Sequence, residues 1–231
     1  MNVLNEFSRY AGHYGSHNVI QERVADRLVA GVRDAPQAML DIGCGRGAIA
    51  KKIDWSYRTL VGVDFAPGML ELHPEGERIE CIRADFDDPK LYAALKAARG
   101  FDRIFSASAL QWSPDLAHTL ALIRSLDAPV SLAIFTAGTF KTLFETAGLS
   151  PILRGAEEVE ALAKRFFNVS CEVVRYSLAF DSVRDMFRYI KRSGVSGNRN
   201  VLSYKETKRL MQAYPLDYLE FEVLFIEGTP I

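Results

Sequence analysis

The sequence predicts an α/β fold built on a mostly parallel, doubly wound sheet, and three observations predict it. Strand-like segments recur at 38–42, 59–64, 79–85, 101–108 and 129–136. Segments with apolar residues at helical spacing separate them, and this alternation calls for parallel strands with crossover helices on both faces. The first strand-like segment also passes straight into three glycines at alternate positions, Gly43, Gly45 and Gly47, which allow a tight turn and a close ligand approach.

Taken in order, residues 17–33 place Val19, Ile20, Val24, Leu28 and Val32 at helical spacing, so an amphipathic helix precedes the sheet. Pro36 breaks the chain before the strand 38–42, and a helix over 48–53 is expected after the glycines. The strand 59–64 leads to Pro67 near a helix start. The strand 79–85, the helix 90–99, the strand 101–108 and the helix 115–126 follow, then the strand 129–136 and the helix 139–148. Residues 168–180 alternate as a longer strand, two polar helices come next, and 220–228 closes the chain as a late antiparallel strand. No repeat or long linker divides the chain. We therefore read one domain over 1–231, with an N-terminal helical cap over 1–35, a core over 36–150 and a helical insertion over 181–215.

The totals narrow the possible partners. The 231 residues are 48% hydrophobic with a net charge of −1, so no global field points to nucleic acid or a membrane. No apolar stretch of about 18 residues occurs, and the start carries charges rather than a secretory leader, so a cytoplasmic location is expected. Cys44, Cys81 and Cys171 are odd in number with no CxxC pair. They suggest neither zinc nor disulfides and are expected as buried free thiols. No metal site is expected. His13, His17, His73 and His118 are expected at the surface.

The candidate site grows from the glycine turn. Asp64 ends the second strand about 21 residues after Gly43, where an acidic residue can accept hydrogen bonds from both ribose hydroxyls of an adenosine. Asp85 ends the third strand and can accept from an adenine amino group, while Phe86 or Met69 offers the ring an apolar face. The expected helix after Gly47 would supply unpaired backbone N–H groups. Each feature alone also suits a plain turn or a helix cap. Together they fall at the carboxyl ends of successive strands, where open α/β sheets bind ligands.

The segments 41–47 (DIGCGRG), 63–70 (VDFAPGML) and 84–85 (AD) resemble the first three motifs of class I S-adenosylmethionine-dependent methyltransferases, in order and spacing, over residues 36–136. The resemblance implies a Rossmann-like core with S-adenosyl-L-methionine as cofactor and S-adenosyl-L-homocysteine as product. It implies that Asp41 and Gly43 to Gly47 hold the methionine half, Asp64 the ribose and Asp85 the adenine. Arg9, Cys44, Phe65, Met69, Phe86 and Ser106 complete the implied cofactor set. One departure is Leu126-Asp127-Ala128-Pro129, where many members carry a Lys/Arg-Pro-Gly-Gly turn.

Segments outside this core narrow the resemblance. Phe7-Ser8-Arg9 with Tyr14 and Gln21, Ala109-Leu110-Gln111-Trp112, Thr139-Phe140, and the turn Gly194 to Gly197 resemble the malonyl-[acyl-carrier protein] O-methyltransferase family of biotin synthesis (the BioC family). That implies methyl transfer to the free carboxylate of a malonyl thioester, with the insertion serving as a lid. A carboxylate is already ionised at neutral pH, so no general base is required. Arg154 and then Arg199 are the candidates to grip the acyl group, and Tyr14 and Gln111 the candidates to shape the pocket. Leu-Gln-Trp is shared with trans-aconitate methyltransferases, so a small-acid carboxyl methyltransferase is the alternative. Residues 184–209 hold eight basic against two acidic side chains. Arg184, Arg188, Lys191 and Arg192 share one helix face, which suits an acidic acyl carrier protein as partner.

Overall fold

The computed structural model describes residues 18–193 and 203–231. Helix α1 (Val19–Ala30) buries Ile20, Val24 and Leu28 of the expected stripe together with Ala25 and Val29, while Val19 is exposed and Val32 lies beyond the helix end. Strand β1 (Ala38–Ile42) is buried along its whole length, as an inner parallel strand must be, and it carries Asp41 into the interior. Next come β2 (Thr59–Asp64), the short helix α2 (Pro67–Leu70), β3 (Ile79–Arg83), α3 (Pro89–Ala98) and β4 (Arg103–Ala107). A 3-10 turn (Leu110–Trp112) leads to α4 (Leu116–Arg124), β5 (Val130–Phe135), α5 (Lys141–Ala147) and α6 (Ala156–Ala163). The chain closes with β6 (Phe167–Ala179), α7 (Val183–Ser193), α8 (Tyr204–Ala213) and β7 (Tyr218–Pro230).

The seven strands form one sheet in the order β3-β2-β1-β4-β5-β7-β6. Strands β1 to β5 are mutually parallel, and β7 runs antiparallel to both β5 and β6. Two apolar layers cover the two faces. One contains α3, α4 and α6 residues such as Leu95, Leu120 and Val159, and the other α1, α7 and α8 residues such as Val24, Met186 and Leu210. Chain order reverses between β2-β1 and β4-β5, so the crevice above β1 and β4 is the switch point where such sheets take ligands.

Two boundaries differ from expectation. Residues 48–53 form successive turns instead of a helix: Lys51 N–H reaches Gly47 O, whereas Lys52 N–H reaches back only to Ile49 O. Strand β3 ends at Arg83, because Asp85 folds back to accept the Asp87 N–H at 2.9 Å.

Glu222 ties the end of β5 to the hairpin. Its carboxylate accepts from Thr136 Oγ1 at 2.8 Å, Gly138 N at 3.2 Å and Arg175 Nε at 3.1 Å. Burial opposes its charge, yet the Thr136 hydroxyl and Arg175 hold the carboxyl below its ordinary value. A depressed value means stability present at neutral pH and lost as the carboxylate protonates on acidification. We expect Glu222→Ala to lose about 2–3 kcal/mol in urea unfolding at neutral pH, and the gap to wild type to narrow in acid. An equal gap at both pH values would contradict this.

Candidate active site

Strand β1 delivers the chain into the glycine turn, and β2 fastens it there. Gly43 N and Cys44 N both donate to Val63 O, at 2.8 and 3.0 Å, Gly45 N donates to Asp64 Oδ2 at 2.9 Å, and Gly47 N donates to Cys44 O. These bonds lie within the turn, ahead of the stretch after Gly47 where unpaired N–H donors were expected. These four amides rigidify the turn, and with no helix starting at Gly47 there is no helix N-terminus to offer others.

The three glycines do different work. All lie in the left-handed region, with φ of 69° at Gly43, 53° at Gly45 and 72° at Gly47. A Cβ on Gly43 would meet Ala109 Cβ at 2.2 Å, and one on Gly47 would meet Pro74 Cδ at 2.5 Å and His73 Nε2 at 2.8 Å. Beside Gly45 there is nothing within 4 Å among the described residues. The outer two glycines permit packing, and the middle one borders open space.

The strand that leads into the turn carries an unusual carboxyl group. Asp41 is 1% exposed, and neither of its oxygens finds a hydrogen-bond partner among the described residues. Burial, reinforced by the charge of Asp64, pushes its pKa up to about 8. A buried acid left without donors is costly, and a cation brought beside it would remove that cost. Asp64 is also buried and raised by desolvation, but it is better served: Oδ1 accepts from Ala66 N at 2.8 Å and Oδ2 from Gly45 N. The Phe65 amide also faces this carboxylate, whose two oxygens offer about four acceptor positions in all, so acceptor capacity is left over for a ligand hydroxyl. The donor set thus fits an adenosyl ligand carrying an ammonium group.

Beneath the turn lie Cys44 and His73, which pack against Gly62 and, for His73, Gly47. Cys44 is 4% exposed with its thiol pushed up by burial, so its side chain supports the turn from below. His73, expected at the surface, is 5% exposed. Its ring Nδ1 bonds Pro74 O at 2.9 Å, and desolvation lowers its pKa. Of the other thiols, Cys81 is exposed on the edge strand β3 and Cys171 half-buried, so only Cys44 is the buried thiol expected of all three.

On the adenine side, Phe86 and Met69 are buried and Phe65 half-buried, while Asp85 is exposed at the head of its turn. Asp87, two residues on, accepts from Ser113 Oγ and Thr119 Oγ1 and so clamps this turn to the start of α4. Spacing gave no sign of Asp87, because its partners lie 26 and 32 residues away.

At the end of β4 the placements divide. Ser106 is fully buried and its hydroxyl donates to Ile42 O at 2.7 Å, so it links β4 to β1. Gln111 Nε2 donates to Ser108 O at 2.7 Å, while Gln111 Oε1 and Ser108 Oγ are buried without partners among the described residues. Arg154 donates Nη2 to Pro114 O at 3.0 Å and stands 3.7 Å from Glu158. It is brought to the rim beside β4, with part of its guanidinium engaged. Arg9, Tyr14 and Arg199 lie outside the described residues. Among those described, no cluster of metal ligands occurs, and no helix is long and apolar enough to cross a membrane.

Comparisons with known proteins identify the family. A methyltransferase domain family matches residues 39–129, the stretch holding the turn, Asp64 and Asp85. A solved S-adenosylmethionine-dependent methyltransferase from Anabaena variabilis superposes with a TM-score of 0.63 at 14% identity, covering 99% of this chain and 96% of its own. A malonyl-[acyl-carrier protein] O-methyltransferase of Halorhodospira halophila is 28% identical over 93% of this chain and 79% of its own length. One from Geobacter sulfurreducens reaches 30% over 77% of this chain and 68% of its own. With that identity across more than two thirds of both chains, the protein belongs to the malonyl-[acyl-carrier protein] O-methyltransferase family.

Proposed function

We propose that the protein transfers a methyl group from S-adenosyl-L-methionine to the free carboxylate of a malonyl thioester carried by acyl carrier protein, an early step of biotin synthesis in the cytoplasm. The observation that carries the reading is Asp41, a buried carboxyl group with no partner among the described residues, on the strand that leads into the turn where Gly45 borders open space. When bound, the cofactor supplies an electrophilic methyl group on a sulfonium sulfur.

The chain supplies placement. Asp41 meets the ammonium of the methionine half, Gly45 lets the ligand lie against the backbone, Asp64 takes the ribose hydroxyls, and Asp85 with Phe86 and Met69 takes the adenine. The acceptor carboxylate oxygen would take up that methyl group in a direct displacement, the electron pair of the broken carbon–sulfur bond staying with sulfur. No proton moves, so the absence of a buried base among the described groups at the rim costs nothing. Catalysis rests on alignment and exclusion of water. Arg154 and Arg199 hold the acyl portion, Tyr14 and Gln111 border the pocket, and the helices α7 and α8 close over it.

Carrier docking falls to the solvent face of α7. Arg184 and Arg188 are exposed there while Met186, Tyr189 and Ile190 are buried, and Arg188 pairs with Asp185. Lys191 and Arg192 occupy the last turn of the same helix. The test offers labelled S-adenosylmethionine with malonyl carrier protein, malonyl-CoA and trans-aconitate separately. Label on a malonyl thioester supports the reading, and label on aconitate alone ends it. An Arg184→Glu/Arg188→Glu variant should raise KM for the carrier-bound substrate about tenfold and leave malonyl-CoA within about twofold. Equal loss with both would remove the docking face.

A further inference from the structure

We infer that Ser108 contacts the substrate: its hydroxyl donates a hydrogen bond to the carboxylate that accepts the methyl group. This rests on the function proposed above and adds a residue to its site. Ser108 follows β4 directly, at the switch point between β1 and β4, and the next residue, Ala109, is the one against which Gly43 packs. It therefore flanks the glycine turn on the side away from Asp64, which fastens Gly45 from β2.

Three features set it apart from an ordinary loop serine. Its φ is +64°, a left-handed conformation that costs a non-glycine residue about 1–2 kcal/mol. Its backbone is nonetheless pinned on both sides, its N–H donating to Ala133 O at 2.9 Å and its carbonyl accepting from Gln111 Nε2 at 2.7 Å. Its hydroxyl is buried with no partner among the described residues. The fold thus holds a strained residue in place and leaves its polar group unanswered. A carbonyl can only accept, so the Gln111 amide nitrogen must face Ser108 O, and its Oε1, equally unanswered, faces away from that bond. Gln111 then acts as a positioning residue for Ser108.

The chemistry of the pair suits this acceptor. A hydroxyl donates to one carboxylate oxygen and fixes the plane of the group, leaving the other oxygen to attack. Being neutral, it orients the nucleophile without cancelling its charge, as an arginine at the same place would.

The experiment compares Ser108→Ala, Ser108→Gly and Ser108→Asn in the full-length chain. Glycine relieves the left-handed strain, so Ser108→Gly should melt no lower than wild type. Both Ala and Gly variants should lose about 10- to 100-fold in kcat/KM for malonyl thioester while S-adenosylmethionine affinity stays within about threefold. Asparagine tolerates the left-handed region and restores a donor, so it should recover part of the loss. Values of kcat/KM within twofold of wild type in both Ala and Gly variants would overturn the assignment, as would an equal loss of cofactor affinity. A wild type that ignores malonyl thioesters but methylates a small carboxylic acid fails the proposed function alone, and the same variants are then compared on that acid. A wild type inactive on every carboxylate acceptor overturns both.

Discussion

Gly45→Ala will fold and fail to bind S-adenosylmethionine, whereas Gly43→Ala and Gly47→Ala will be damaged in the fold itself. All three replacements put a Cβ on a left-handed residue, at about 1–2 kcal/mol each. At Gly45 nothing more follows, because no described atom lies within 4 Å of the new methyl group. Its melting temperature should fall by about 2–8 °C. The methyl group stands, however, in the space the ligand needs, and affinity should drop at least about 100-fold. At Gly43 and Gly47 the Cβ lands at 2.2 Å and 2.5 Å from neighbouring carbons, so the turn itself must shift. Thermal melts beside equilibrium dialysis separate the cases. A Gly45→Ala protein with wild-type affinity would show that the open flank is not the ligand's path.

Asp41→Asn should stabilise the unliganded protein and weaken its hold on the cofactor. The folded-state pKa of Asp41, about 8, lies above the unfolded value of 3.8. Its contribution to stability is therefore fully present below about pH 4 and is lost as pH rises through about 8. Asparagine has no charge to desolvate, so the variant should keep its urea stability across that range while wild type declines. Cofactor binding should behave in the opposite way. Wild-type affinity should climb with pH up to about 8, because the acid must give up its proton to face an ammonium group. In the variant the slope should vanish, with affinity about 10- to 100-fold lower at pH 8. An Asn variant with undiminished affinity and an unchanged slope would remove Asp41 from the site.

Much of this was legible in the sequence. Each parallel strand declared itself as a short strand-like segment between helical ones, and α1 showed most of its stripe, because side-chain period is a local property of the chain. The glycine triplet and the acids at 64 and 85 were legible as a set, since the ends of successive strands meet by topology alone. What each glycine does was not legible. Gly43 and Gly47 are fixed by Ala109, Pro74 and His73, neighbours 26 or more residues away in sequence. His73 was misplaced for the same reason: a lone histidine among prolines and glutamates reads as surface, and only the fold brings it under the turn. The helix after Gly47 was over-read from a few apolar residues, and the amides that Val63 and Asp64 of the neighbouring strand hold belong to the turn before it. Ser108 was legible only as the first residue of the segment 108–112 and not as a residue with a role, because its positive φ goes with bonds to Ala133 and Gln111 that spacing does not reveal.

A crystal structure of the protein with S-adenosylmethionine bound tests the central claim most directly. The ligand should lie against Gly45, with its ammonium group within hydrogen-bond distance of Asp41 and its ribose hydroxyls on Asp64. A ligand seated elsewhere, with both Asp41 oxygens still unanswered, would contradict it.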